Sequence, residues 1–113
     1  MISQTRPSAL AAWLAAAPAG ATPVVLDVRE PWELQTASVK ADGFTLVAIP
    51  MNDVPARLAE LDASTPIACL CHHGARSQRV ASFLAQNGFE NVTNISGGID
   101  AWSAERDGGV PRY

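Results

Sequence analysis

The chain has 113 residues, 48% hydrophobic and 17% charged, a balance that suits one soluble globular domain over residues 1–113 and excludes disorder. Net charge is −3 and the eight Lys and Arg residues are scattered, so the basic footprint of a nucleic-acid binder is missing and no nucleic-acid partner is expected. The only cysteines, Cys69 and Cys71, are separated by one residue; they form no disulfide framework, which favours a reducing, cytoplasmic compartment.

The first apolar stretch, "ALAAWLAAAPAGA" (residues 9–21), has the length of a signal-peptide core, but only Arg6 precedes it. Leu10, Trp13 and Leu14 fall at i, i+3 and i+4, which predicts an Ala-rich helix ended by Gly20 and Pro23. No run reaches the roughly 20 apolar residues that span a bilayer, so no membrane association is expected.

"PVVLDV" (residues 23–28) predicts a buried parallel strand that turns polar at Asp27, Arg29 and Glu30. "FTLVAIP" (residues 44–50) is a second strand. "NDVPARLAEL" (residues 52–61) is predicted as a helix capped by Asn52 or Asp53, with Val54, Leu58 and Leu61 facing the sheet. "PIACL" (residues 66–70) is a third strand, and "SQRVASFLAQNG" (residues 77–88) a helix with Ser77 as N-cap, Val80, Phe83 and Leu84 inward, and Gly88 just past its end. "NVTNI" (residues 91–95) is a fourth strand. "SGGIDAWSAERDGG" (residues 96–109) is a glycine-opened turn and helix with Ile99 and Trp102 on its core side, and "VPRY" is a tail. Strands alternating with helices give an α/β domain with a mostly parallel sheet.

Chemistry concentrates in "CHHGARS", Cys71 to Ser77, between the third strand and its helix. In open α/β sheets ligands bind beyond the carboxyl ends of the strands, which is where Cys71 falls. A tight loop entering a helix N-terminus turns several amides inward and forms an anion nest. Gly74 permits the turn, and Arg76 adds positive charge. Both the helix end and the arginine favour the thiolate, the reactive form of the side chain.

These residues resemble the C-x-x-G-x-R-[ST] loop of rhodanese-type sulfurtransferases. Three other stretches resemble that family in the same order: "LDVREPWE" (residues 26–33), "QNGFENVTNISGGIDAW" (residues 86–102) and the closing "DGGVPRY". The Gly-His-Ile-x-Gly-Ala segment usual in the family is replaced by "TASVKADGF" (residues 36–44). The resemblance implies a five-stranded, mostly parallel sheet flanked by helices on both faces, with Cys71 as the persulfide-carrying nucleophile. It further implies that the amides of His72, His73, Gly74, Ala75, Arg76 and Ser77 cradle the substrate, while Asp27 and Arg29 support the loop structurally.

Other chemistries fit less well. Cysteine-dependent phosphatases place five residues between Cys and Arg and a histidine before the nucleophile; here four intervene and Leu70 stands before Cys71. Cys69, Cys71, His72 and His73 are metal-ligand types, but four ligands within five residues cannot surround an ion tetrahedrally without strain, so no metal is expected. Cys69 reads as a core residue. No cofactor is implied. The expected activity moves sulfane sulfur from thiosulfate or a related donor to cyanide, a small thiol, thioredoxin or a sulfur-carrier protein, with a monomeric protein. The competing reading is a non-enzymatic or partner-dependent module that relays sulfur.

Overall fold

A computed structural model describes residues 2–113. The predicted apolar runs form strands β2 (Val24–Asp27), β3 (Thr45–Ala48), β4 (Ile67–Leu70) and β5 (Val92–Ile95), joined by an edge strand β1 (Ser3–Thr5). The helices are α1 (Leu10–Ala15), α2 (Pro31–Thr36), α3 (Ala75–Gln86) and α4 (Gly98–Glu105). The sheet runs β1-β5-β4-β2-β3 with every pairing parallel. Parallel strands alternate their side chains between two covered faces, and β4, at the centre, shows the consequence. Ala68 and Leu70 enter one core with Leu10, Ile99 and Trp102, while Ile67, Cys69 and the following Cys71 enter the other with Val80 and Leu84. Helices α1 and α4 therefore cover one face and α3 the other, as expected for this class.

Six residues of α1 are too few for a helix to persist alone. Burial of Leu10 holds it, at about 1.5–3 kcal/mol for a side chain of this size, with Trp13 and Leu14 packed at the margin. Trp102 is core, edge-to-face with Phe44 at 6.0 Å between ring centroids. The unusual segment between α2 and β3 joins the same core through Ala37, Val39 and Phe44.

Three expectations need correction. Residues 52–61 form no α-helix: short 3₁₀ turns occupy Met51–Asp53 and Leu58–Glu60. Pro55 has no N–H to continue the ladder after one turn, although Val54 still reaches the core and Leu58 and Leu61 pack beside it. Ser77 does not cap α3; the cap is Gly74, at φ +108°, and the helix begins three residues earlier than predicted. Ser3–Thr5, not predicted as a strand, is the edge strand on β5, anchored by a Thr5–Thr93 hydroxyl bond of 2.8 Å.

Candidate active site

Cys71 follows β4 directly and lies at the mouth of α3. The first turn of a helix leaves its amides without intrahelical acceptors, so the N–H groups of Ala75, Arg76 and Ser77 are free to meet an anion, together with the dipole. Cys71 Sγ accepts from the Gly74 amide at 3.1 Å and contacts Ser77 Oγ at 3.2 Å. Gly74 makes this possible through its left-handed backbone, which few other residues adopt.

The loop is held from behind by α4. The amides of Ile99 and Asp100 donate to the carbonyls of Cys71 and His72 at 2.9 and 3.2 Å. Those carbonyls therefore point into the helix end and away from the nest. Gly97 and Gly98 form the tight turn that allows this approach, as a strand-to-helix connection and not as a phosphate cradle.

Arg76 does not stand free over the loop. Its Nη1 and Nη2 donate in a fork to Glu33 Oε2 and Oε1, each at 2.7 Å. Glu33 also accepts from the Glu30 amide at 2.8 Å and the Tyr113 hydroxyl at 2.9 Å. Four donors on one buried carboxylate, the Arg76 guanidinium foremost, overcome desolvation and hold Glu33 at about 2, against an ordinary value of 4.5. The folded form binds its proton less readily than the unfolded chain. This ion pair therefore stabilises the fold fully above pH 4.5, and the contribution is lost as pH falls toward 2. Urea unfolding midpoints should drop across that window in the native protein, with a visibly shallower drop in Glu33→Gln; equal slopes would show that the pair contributes nothing.

Asp27 and Arg29 form a fork of their own, with Arg29 Nε and Nη2 donating to Asp27 Oδ1 and Oδ2 at 2.9 and 2.7 Å, both side chains buried. Arg29 Nη1 donates to the Tyr113 hydroxyl at 3.0 Å. A chain of contacts thus runs Asp27, Arg29, Tyr113, Glu33, Arg76, from the end of β2 to the loop. Arg29 Nη1 also donates to the Glu33 main-chain oxygen at 3.3 Å, and among the described residues neither Asp27 nor Arg29 is hydrogen-bonded through its side chain to the loop itself. Glu33 and Tyr113 were not singled out from the sequence. Glu33 had a visible cue, since Pro31 followed by an acid at the third helical position marks a helix start.

His72 is stacked between His73 and Tyr113, with centroid separations of 3.8 Å on either side. Its Nε2 lies 2.6 Å from the Tyr113 main-chain oxygen, so the tautomer protonated at Nε2 donates there. His73 and Ala75 are exposed. Among the described residues neither histidine is a hydrogen-bond partner of Cys71 Sγ. Trp32 is exposed and sits edge-on to Tyr113 at 6.2 Å.

The family model for the rhodanese-like domain matches residues 10–105. The chain belongs to the rhodanese-like family. It is 32% identical over 81 residues to the thiosulfate sulfurtransferase GlpE of Pseudoalteromonas translucida, covering 72% of this chain and 73% of that one. It is 36% identical over 91 residues to a chloroplastic rhodanese-like/PpiC domain-containing protein of Arabidopsis thaliana, covering 79% of this chain but only 30% of that protein. Among solved structures, a rhodanese-related protein of Thermoplasma volcanium superposes with a TM-score of 0.75 at 30% identity, over 96% of this chain and 95% of its own. The rhodanese-like fold of this chain is the five-stranded parallel sheet described above, and no helix among the described residues is long and apolar enough to cross a membrane.

Proposed function

We propose that this rhodanese-like chain is a sulfurtransferase that carries sulfane sulfur as a persulfide on Cys71. The observation that carries the reading is the surroundings of Sγ: a sulfur at a helix N-terminus, 3.1 Å from the Gly74 amide, with no histidine partner to act as base. Such a nucleophile is activated by field and amides, as covalent catalysis by a thiolate requires. The thiosulfate sulfurtransferase among its relatives points to thiosulfate as donor.

The Cys71 thiolate attacks the outer sulfur of thiosulfate. The new S–S bond forms as the S–S bond of thiosulfate breaks, and sulfite leaves with that bond's electron pair. The persulfide anion then yields its outer sulfur to cyanide or a thiolate, regenerating the Cys71 thiolate. No proton is transferred in either half and no net oxidation occurs, so no cofactor is needed. The amides of His72 to Ser77 stabilise the anions, as preorganised donors do, and Arg76, neutralised by Glu33, holds the loop in shape. Cys71 is only 1% exposed, and the second sulfur extends the reactive atom by about 2 Å toward an acceptor. A small thiol, thioredoxin or a sulfur-carrier protein suits that step. The reading takes the 113 residues as one domain acting as a monomer in a reducing compartment.

Intact mass after thiosulfate treatment tests the proposal: a gain of one sulfur atom, reversed by cyanide, is expected. Steady-state turnover should then give parallel double-reciprocal lines for thiosulfate and cyanide. An unchanged mass, or intersecting lines, would refute the persulfide route.

A further inference from the structure

Ser77 has one hydroxyl proton and two claimants for it. Its Oγ is 3.2 Å from Cys71 Sγ and 2.6 Å from Asn94 Oδ1. The orientation of the Asn94 amide follows from its other partners. Nδ2 faces the Gly74 carbonyl at 3.2 Å and Gln4 Oε1 at 2.9 Å, and a carbonyl oxygen can only accept. Both Nδ2 protons are thereby engaged, so Oδ1 must face Ser77 as an acceptor. Ser77, Thr93 and Asn94 are buried, so no bulk solvent relieves the competition. The shorter contact, between oxygens, is the stronger claim on the proton.

We infer that Asn94 is a positioning residue for the sulfur: by holding the Ser77 proton, it withholds one hydrogen-bond donor from Cys71. With the thiol protonated, the run is consistent in one direction, S–H to Ser77 Oγ and Ser77 O–H to Asn94 Oδ1. When Sγ is a thiolate, the Ser77 proton must either turn to it and strand Oδ1 or stay and leave the sulfur with the Gly74 amide. A thiolate short of one donor is the better nucleophile toward a sulfur donor, because nucleophilicity falls as the sulfur is stabilised, and for the same reason it is the poorer leaving group when an acceptor takes the outer sulfur. Asn94 also ties the Gly74 carbonyl to β5. The same side chain therefore sets the loop and the solvation of the sulfur.

This inference rests on the sulfur-carrier reading only for its consequence in transfer; its test needs no sulfur donor. The ultraviolet absorbance of the thiolate is measured at a fixed neutral pH, with Cys71→Ser as the blank, so that Cys69 cancels. Asn94→Leu, matched in side-chain branching but without an acceptor, and Asn94→Ala should each raise the Cys71 thiolate-to-thiol ratio by about 10-fold, the scale of one hydrogen bond to an ionised partner. The rise should vanish in a Ser77→Ala background, as it must if Asn94 acts through Ser77. A merely structural role would disturb the loop alike with or without the hydroxyl. The inference is overturned if folded Asn94→Leu and Asn94→Ala show no rise, or if the rise survives in Ser77→Ala. Should neither variant fold, Asn94→Asp decides: its carboxylate holds the proton more firmly, so the ratio must fall, and a ratio at or above the native one rejects the idea. The intact-mass experiment on the native protein fails separately if Cys71 carries no persulfide.

Discussion

Cys71→Ser is expected to lower sulfur release from thiosulfate by at least about 1,000-fold, the scale seen when a covalent nucleophile is removed, whereas Cys69→Ser should retain transfer and lose stability. Solvent exposure does not separate the two thiols, at 1% and 0%. Their neighbours do. Cys69 is enclosed by the apolar core of α3 and β4, and burial, with some help from the nearby Cys71, pushes its thiol up to about 12. It is neutral throughout the physiological range. Cys71 instead meets an amide, a hydroxyl and a helix N-terminus. A small uncharged alkylating agent in limiting amount should therefore modify Cys71 first, and prior thiosulfate should mask the same residue. A serine hydroxyl at position 69 would sit among apolar side chains, and left unpaired there it costs about 1–3 kcal/mol. Peptide mapping with label mainly on Cys69, or sulfite release by Cys71→Ser, would remove Cys71 from its assigned role.

How much of this was legible in the sequence follows from the range of each interaction. β4, the loop and most of α3 were readable because the signals are local: an apolar run, a glycine, a helical stripe of Val80, Phe83 and Leu84. β1 was not, because three polar residues carry no periodicity and become a strand only when β5 supplies the partner. The 52–61 segment misled because its apolar spacing is helical while Pro55 interrupts the ladder that spacing presumes. Ser77 looked like a helix cap because serine often is one; its hydroxyl is spent between Cys71 and Asn94, and the backbone of Gly74 does the turning. Arg76 was singled out for its charge, and the sequence named no partner for it. Glu33 lies 43 residues away in the chain, and Tyr113 lies 80 residues beyond Glu33, distances over which pattern carries no information. The consequence is functional, since a free cation and a neutralised one would treat an anionic donor differently.

Gly98→Ala should lower kcat/KM for sulfur transfer by about 100-fold, through the loop and not through the chemistry. Gly98 has φ +59°, and a Cβ there would lie 2.4 Å from the His72 carbonyl oxygen and 2.5 Å from that of Cys71. Those oxygens are backbone atoms held by the Ile99 and Asp100 amides, so neither can swing aside as a flexible side chain would. The loop must retreat from α4 by on the order of 1 Å, a misplacement that costs a positioned reaction about 100-fold. Strain alone is a competing cause, since a left-handed residue other than glycine costs about 1–2 kcal/mol. Gly88→Ala separates the two: Gly88 also has positive φ, at +88°, but its Cβ would meet nothing within 4 Å. Both variants should unfold at lower urea concentration, and only Gly98→Ala should lose transfer and the normal alkylation rate at Cys71. Equal losses of activity in the two would mean that backbone strain, and not the grip of α4 on the Cys71 and His72 carbonyls, governs the site.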